Sequence, residues 1–359
     1  MKIHPLGVRQ LVLIHAIPDF LREGLGNWKD VRSRGVLWSD LGVPVTIVRF
    51  DPERPESLHA QVPDNATDLL IEYSWWPEIL ETLKKQRPRL RLHVRTHNAE
   101  ALQHLARSGW VCWPPITALR NLYGFVRLLN RDRRCRSATA ALWGISPWDN
   151  RHYWSWLPGK AKIVDFPYFC PWPDLKPDQV PKSWISRPKR IISIPGGNDR
   201  IGQSMIDGFI EFVRETKRQQ LAPDWNFAVS RGMHSDRSLP DDVHIDFLPE
   251  PLKSWEELGS TRALAVLGVR GYGLKTNVID GLAAGCHVIV TPKMAAHLPD
   301  DVATHCLVCE PTNPQSVQRT WQRLQQHPVE VEACHARQRA IAEDLVKHLL
   351  GLDPACRNP

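Results

Sequence analysis

Lys275, Thr276, Asn277 and Asp280 stand just behind two glycines, Gly271 and Gly273, in a stretch that closes at Gly285. A lysine in that position can hold an anion. The glycines let the backbone approach a ligand, and the helix expected from Thr276 points its free N–H groups and positive dipole end at the same spot. Asp280 lies one turn beyond Thr276 and Asn277 on their side of that helix, where a carboxylate accepts hydrogen bonds from a vicinal diol. A phosphate plus a ribose is a nucleotide. Ala263 to Val269, upstream, reads as a buried parallel strand ended by glycines. Val278, Ile279, Leu282 and Ala283 supply the buried stripe of the helix, Gly285 stops it, and His287 to Thr291 is the next strand. Strand-glycine-helix turns occur in any parallel α/β domain; here Lys275 and Asp280 both fall where a ligand needs them.

Strands and helices alternate twice along the chain. Gln10 to Ile17 predicts a first strand, Gly24-Leu-Gly26 a turn, Asp30 to Leu41 a helix and Val43 to Phe50 a second strand; Asp68 to Glu72, Leu90 to Arg95 and Ala141 to Ile145 follow as further strands. A proline-rich connector then runs from Pro167 to Pro188. Beyond it, strands are expected at Arg190 to Ile194, Trp225 to Ser230, Val243 to Phe247, Ala263 to Val269, His287 to Thr291 and Thr304 to Cys309. The helices between them fall at Gln203 to Lys217, Leu252 to Gly259, Thr276 to Ala284 and Pro314 to Gln326. The expected division is a first domain over 1–168, a linker over 169–188, a second domain over 189–340 and a C-terminal helix and tail over 341–359.

With 359 residues, 42% hydrophobic and 24% charged, the chain has the composition of a two-domain globular protein. No run approaches a membrane span, and Leu11-Val-Leu-Ile14 is too short for a signal peptide, so a cytoplasmic location is expected. Eight cysteines in a chain this long make no disulfide framework. Cys306-Leu-Val-Cys309 has half the spacing of a zinc site but lies on an expected strand without a second pair. The charge is segregated: residues 1–168 carry a net +8 and the remainder −1, and ten of the fifteen tryptophans lie in the same first part. Arginine with tryptophan suits a membrane headgroup zone, a sugar-stacking surface or a nucleic-acid groove, as well as an ordinary core with solvated arginines. The basic residues are spread over many elements and no nucleic-acid motif appears, so no nucleic-acid partner is expected.

Gly271 to Gly285 resembles the nucleotide-sugar signature of GT-B glycosyltransferases of the group 1 (family 4-like) type, Gly-x-Gly-x-Lys-x-Lys, then Glu, then Ala-x-Gly before a Val-rich strand. Asn277 stands where a second lysine is common, Asp280 where a glutamate is usual, and Arg270 where many relatives carry another acid. Val94-Arg-Thr-His-Asn-Ala-Glu100 resembles the His-Asn-x-Glu segment of the N-terminal domain, with His97 facing the donor sugar. Ile145-Ser-Pro-Trp-Asp149 is similar to the stretch that ends that domain. Ile194-Pro-Gly-Gly-Asn-Asp-Arg-Ile-Gly202 resembles the glycine-rich loop of the C-terminal domain, with Gly196 and Gly197 at the ligand and Arg200 as the diphosphate-binding cation.

The resemblance implies an α/β fold of two Rossmann-like domains facing across a cleft, the first on the acceptor side. It implies transfer of a sugar from a nucleotide-diphosphate sugar to a glycan or lipid-linked acceptor with retention, a phosphate oxygen of the leaving group taking the acceptor proton. Arg200, Lys275 and a helix N-terminus would then hold the charge that develops on the diphosphate. Gly24 and Gly26 would bring the N-terminal loop to the diphosphate from the other side, and His97 would bond a donor hydroxyl. No Asp-x-Asp motif follows a strand, and Asp241-Asp242 and Asp300-Asp301 read as loop acids, so neither metal nor cofactor is expected beyond the nucleotide sugar as co-substrate. Because Asn277, Asp280 and Arg270 depart from the pattern, a non-catalytic protein binding nucleotide or glycan is the alternative.

Between Trp110 and Arg136, Ile116, Leu119, Leu122, Tyr123, Val126 and Leu129 recur at helical spacing, followed by Arg131, Arg133, Arg134 and Arg136. Such a stripe ordinarily packs on the sheet, as the corresponding helix does in relatives. The arginines would still hold the first domain on the anionic cytoplasmic face of a membrane.

Overall fold

The computed structural model describes residues 11–21, 26–109, 115–171, 183–196, 199–230, 239–248, 254–328 and 332–352. Two six-stranded sheets, parallel throughout, hold the chain. The first contains β1 (Leu13–Pro18), β2 (Val45–Phe50), β3 (Asp68–Glu72), β4 (Arg91–Thr96), β5 (Ala141–Gly144) and β6 (Lys162–Asp165) in the order β2-β1-β3-β4-β5-β6. The second contains β7 (Arg190–Ser193), β8 (Asn226–Val229), β9 (Asp246–Phe247), β10 (Ala263–Val266), β11 (His287–Val290) and β12 (Leu307–Val308) in the order β12-β11-β10-β7-β8-β9. Both are Rossmann-like, as the alternation of strands and helices predicts. In each, the chain leaves its first strand toward one edge and later returns to the other side of it. The places where strand order reverses are β1/β3 in the first sheet and β7/β10 in the second, and ligands of such sheets bind at those crevices.

Among the helices are α1 (Gly26–Asp40), α2 (Glu100–Ser108), α3 (Pro115–Ala138), α4 (Arg200–Arg218), α5 (Thr276–Ala283) and α6 (Glu332–Leu350). α4 buries Ile201, Met205, Ile206, Phe209, Ile210, Phe212 and Val213 on one face, the spacing of a helix laid on a sheet. Its packing is unusually close at Gly208, where a Cβ would come within 2.0 Å of the Leu267 carbonyl oxygen. α6 sends Ala342, Val346 and Leu350 into a cluster with Leu13, Leu37, Trp38 and Leu70 of the first sheet's core. The expected strand Thr304 to Cys309 is shorter than its sequence pattern: Pro299 and the acids Asp300 and Asp301 start a helical turn over Asp300–Ala303, and only Leu307–Val308 pairs. Cys306 and Cys309 are buried, and neither belongs to a cluster of metal-ligating side chains among the described residues. No described helix is long and apolar enough to cross a membrane.

Candidate active-site cleft

β7 and β10 run side by side in register, so their C-terminal ends deliver two glycine-bearing loops to one place. The loop after β7 leads into α4 with Arg200 as its first, exposed residue; the loop after β10 leads into α5 with Lys275 at its N-cap. Asn277 on the first turn of α5 donates to the Ile194 carbonyl at 3.3 Å and ties the loops together. Asp199 caps α4 by accepting from the backbone N–H groups of Ile201 and Gly202, both at 3.0 Å, and pairs with Arg107 of α2 at 3.1 Å. Burial and then Arg107 push the Lys275 ammonium below its usual range, while Asp199 and Asp149 pull the other way. Arg200, Lys275, Thr276, Asn277, Gly271, Gly273 and Gly196 thus converge at the reversal point of the second sheet. The α5 N-terminus carries no side-chain cap and stands with these two cations as the elements from which an anion site is built, whereas the first N–H groups of α4 already serve Asp199.

The glycines of the second loop are required by their backbone and their neighbours: Gly271 lies against Ile201 of α4, and Gly273 against the facing domain. Gly271 and Gly273 have φ of +96° and +78°, and a Cβ on Gly273 would meet Asn98 Oδ1 at 2.2 Å and the His97 carbonyl oxygen at 2.7 Å. Tyr272 N–H donates to Gln103 Oε1 of α2 at 2.7 Å. The His97–Asn98 turn therefore forms the opposite wall of the cleft, and Asp149 Oδ2 braces it by accepting from Ala99 N–H at 3.1 Å. Gly26 opens α1. Gly24 and Gly197 lie outside the described residues.

Two expected ligands have other partners. The His97 ring turns into the first domain, with Nε2 at 2.8 Å from Glu72 Oε2 and its face against Tyr73 at 4.6 Å. Asp280 is wholly buried, and each carboxylate oxygen is taken: Lys29 Nζ of α1 donates to Oδ2 and the Tyr168 hydroxyl to Oδ1, both at 2.6 Å. Each oxygen keeps a second lone pair, but the carboxylate is wholly buried, so a ribose reaches it only if the Lys29 or Tyr168 side chain gives way or moves aside.

Sequence reading misses the network behind His97. At the β1/β3 reversal point, Arg95 grips Asp30 through Nε and Nη2 at 2.8 and 2.7 Å, Arg34 bridges Asp30 and Glu72, and His15 bonds Glu72. All are buried. Burial alone would raise the Asp30 carboxyl, but the Arg34 and Arg95 guanidiniums override it and hold it at about 2. Glu72 is likewise held well below the carboxylate range, chiefly by Arg34 against burial. Asp30, Glu72 and His97 place ligating atoms within 4.8 Å of one another, yet the guanidiniums already supply the positive charge a cation would bring.

No family model matches the chain, and no curated protein matches it in sequence. Solved structures do match in three dimensions. An α,α-trehalose 6-phosphate synthase from Burkholderia multivorans superposes with a TM-score of 0.59 at 11% identity, over 96% of this chain and 98% of that one. A glycosyltransferase from Rickettsia africae gives 0.58 at 11%, over 98% and 100%. The sucrose-phosphate synthase of Thermosynechococcus elongatus gives 0.56 at 12%, over 95% and 96%. The chain has the GT-B fold. Identities this low carry the architecture alone. In the GT-B frame, the Gly271–Lys275 loop, the Arg200 helix and the His97–Asn98 turn line the cleft between the two Rossmann-like domains.

Proposed function

We propose that the chain is a glycosyltransferase that moves a sugar from a nucleotide-diphosphate sugar to a glycan or lipid-linked acceptor, with retention at the anomeric carbon. The observation that carries this reading is the placement of Arg200 and Lys275 on two helix N-termini at the β7/β10 crevice, across from the His97–Asn98 turn. As the diphosphate departs, the anomeric carbon becomes oxocarbenium-like. Cations and N–H groups fixed where the charge grows hold the transition state more tightly than the ground state. Residues 1–168 form the acceptor side and 189–340 the donor side. UDP is the first nucleotide to try, because solved neighbours in the same fold are described as UDP-forming. Thermal-shift screening with UDP, GDP, ADP and CMP, then turnover with sugars of the best nucleotide, tests the assignment; no shift with any of the four would overturn it.

The non-catalytic reading draws its support from Asp280, whose two oxygens are occupied by Lys29 and Tyr168. Hydrolysis of a nucleotide sugar without acceptor would exclude it.

A further part of the proposal is peripheral attachment of the first domain to the anionic cytoplasmic face of a membrane. Against the expectation of burial, Ile116, Leu119, Leu122, Tyr123 and Val126 of α3 are 47–72% exposed. The reason is register: Asn121, Asp132, Cys135 and Ala138 turn inward instead, with Phe125, Leu128 and Leu129 packed against the core. Arg120, Arg127 and Arg131 lie along one border of the apolar arc by helical spacing. Arg134 and Arg136 are engaged by Glu78, Glu81 and the Trp154 carbonyl. Apolar surface flanked by arginine is the pattern of an interfacial helix. Sedimentation with phosphatidylglycerol vesicles should capture the protein at low salt and release it at high salt, and Leu119→Glu should abolish capture. Equal recovery with phosphatidylcholine vesicles at low salt would refute attachment.

A further inference from the structure

The cleft holds a second pair of cations, one strand along from the first. β11 lies next to β10, and the helix Pro292–Ala296 that follows it carries Lys293. Lys293 Nζ sits over the Tyr272 ring, 4.9 Å from its centroid. Burial and then the nearby Arg270 pull its ammonium below the usual range. Arg270 is exposed, and among the described residues neither cation is paired with a carboxylate. Like charges kept together without compensation are unfavourable unless an anion is brought to them.

An aromatic wall stands beside this pair. Trp148, from the first domain, meets Tyr272 at 5.5 Å and His297 at 4.5 Å between ring centroids, and both Trp148 and Tyr272 are partly buried with an edge left to solvent. Behind them the wall carries open polar valence. His297 Nδ1 and Asp149 Oδ1 lie 3.5 Å apart, both residues buried, and neither atom has a hydrogen-bond partner. Buried polar atoms are ordinarily satisfied, and an unsatisfied pair in a cleft marks a place where a ligand hydroxyl completes the bonding.

We infer that Arg270, Lys293, Tyr272, Trp148, His297 and Asp149 form a subsite for an anionic sugar, a hexose ring bearing a carboxylate or a phosphate. The C–H face of the ring lies against the open edge of the aromatics, a hydroxyl reaches the His297–Asp149 pair once the Trp148 ring over His297 shifts, and the anionic substituent meets Arg270 and Lys293. The subsite adjoins the Arg200/Lys275 anion site, with which it shares the loop after β10 and Asp149, and differs from it in using the helix after β11 instead of the helix after β7. The inference rests on the reading of the cleft as a sugar-transfer site and narrows its substrate to acidic sugars.

The test uses the full chain and two sets of probes. Glucose, glucuronate and glucose 6-phosphate report on a free sugar, and UDP-glucose and UDP-glucuronate on a nucleotide-linked one, each titrated by calorimetry or saturation-transfer NMR. In at least one set the anionic probe should bind about tenfold or more tightly than the neutral one, the size expected of charge-assisted hydrogen bonds. The set that shows it says whether the sugar is acceptor or donor. The double variant Arg270→Ser with Lys293→Gln should bring the two probes within about twofold while UDP alone binds as in the wild type. Wild-type protein that treats neutral and anionic probes alike in both sets overturns the inference. So does a double variant that loses UDP affinity in step, since the cations would then belong to the diphosphate. Failure of UDP to bind, with discrimination kept among the free sugars, would instead strike the transferase reading and leave this subsite standing.

Discussion

The two sheets reverse their strand order at equivalent places and fill those places in opposite ways. At β1/β3 the crevice is closed by side chains that satisfy one another: Asp30 and Glu72 are neutralised by Arg34 and Arg95, with His15 and His97 bonded alongside. At β7/β10 the crevice is lined by glycines, helix N-termini and the cations Arg200 and Lys275. The same topology thus gives one domain an internal brace and the other the crevice proposed to hold the donor. What differs is that the charges of the first crevice are buried and paired with one another, whereas in the second Arg200 is exposed and the ion pair at the loop ends, Asp199 with Arg107, is partly exposed.

The comparison breaks first in the brace. Arg95→Leu leaves Asp30 buried with half its compensation, and removing one partner of a buried pair costs about 3–5 kcal/mol. Denaturant melts should show a loss of that size, whereas Arg200→Ala, exposed in the other crevice, should change stability by about 0.5 kcal/mol or less. A loss below about 1 kcal/mol in Arg95→Leu would mean the network is ornamental to stability. The second crevice answers in activity: Lys275→Ala and Arg200→Ala should each lower turnover about 10²-fold or more, on the order of 3 kcal/mol of transition-state stabilisation, in folded protein. Near wild-type turnover of Lys275→Ala at saturating donor would remove it from the diphosphate site.

Acid should also tell the two regions apart. Asp30 is held at about 2 in the folded chain against an ordinary 3.8, so its contribution is complete above the ordinary value and disappears as pH falls through the folded one. The window is pH 4 to 2, and about 2 kcal/mol goes with this one group. Stability measured at pH 5, 3 and 2 should fall across that interval, and Asp30→Asn should flatten the fall. An unchanged acid limb in Asp30→Asn would show that the brace is not what titrates.

The loop and helix start at the second crevice were legible in the sequence and the brace was not, for a physical reason. Gly271, Gly273, Lys275 and Gly285 act through local geometry: positive φ, a helix start and a helix end, each encoded within a few residues. Asp30, Glu72 and Arg95 are separated by dozens of positions and meet only because β1, β3 and β4 are neighbours. Their signal was faint, since Glu72 ends the apolar run Leu69-Leu-Ile71 but Arg95 follows Arg91 and His93 in its own strand. Asp280 shows the limit of helical spacing. Its distance from Thr276 suggested a shared face, but Asp280 is wholly buried where Thr276 and Asn277 are not, and the tertiary fold brings Lys29, 251 residues away, onto the carboxylate. On α3 the spacing found the stripe, and the stripe faces out because the inward positions are held by other residues of the same helix.

Asp280 is where the two regimes meet, since it sits in the ligand crevice yet is tied like a member of the brace. If it serves the ribose, a diol must enter beside or in place of the Tyr168 or Lys29 donor on one of its buried oxygens. Tyr168→Phe removes one competing donor without changing charge, so nucleotide affinity should rise a few-fold, while the bared oxygen lowers stability by about 1 kcal/mol. Asp280→Ala removes the acceptor, so affinity should fall about tenfold with turnover at saturation little changed, because ribose contacts are alike in ground and transition states. The two substitutions therefore move calorimetric affinity in opposite directions. Affinity that stays level in both variants makes Asp280 an interdomain tie with no part in nucleotide binding, and the second crevice would then hold its ligand by Lys275, Arg200 and the backbone alone.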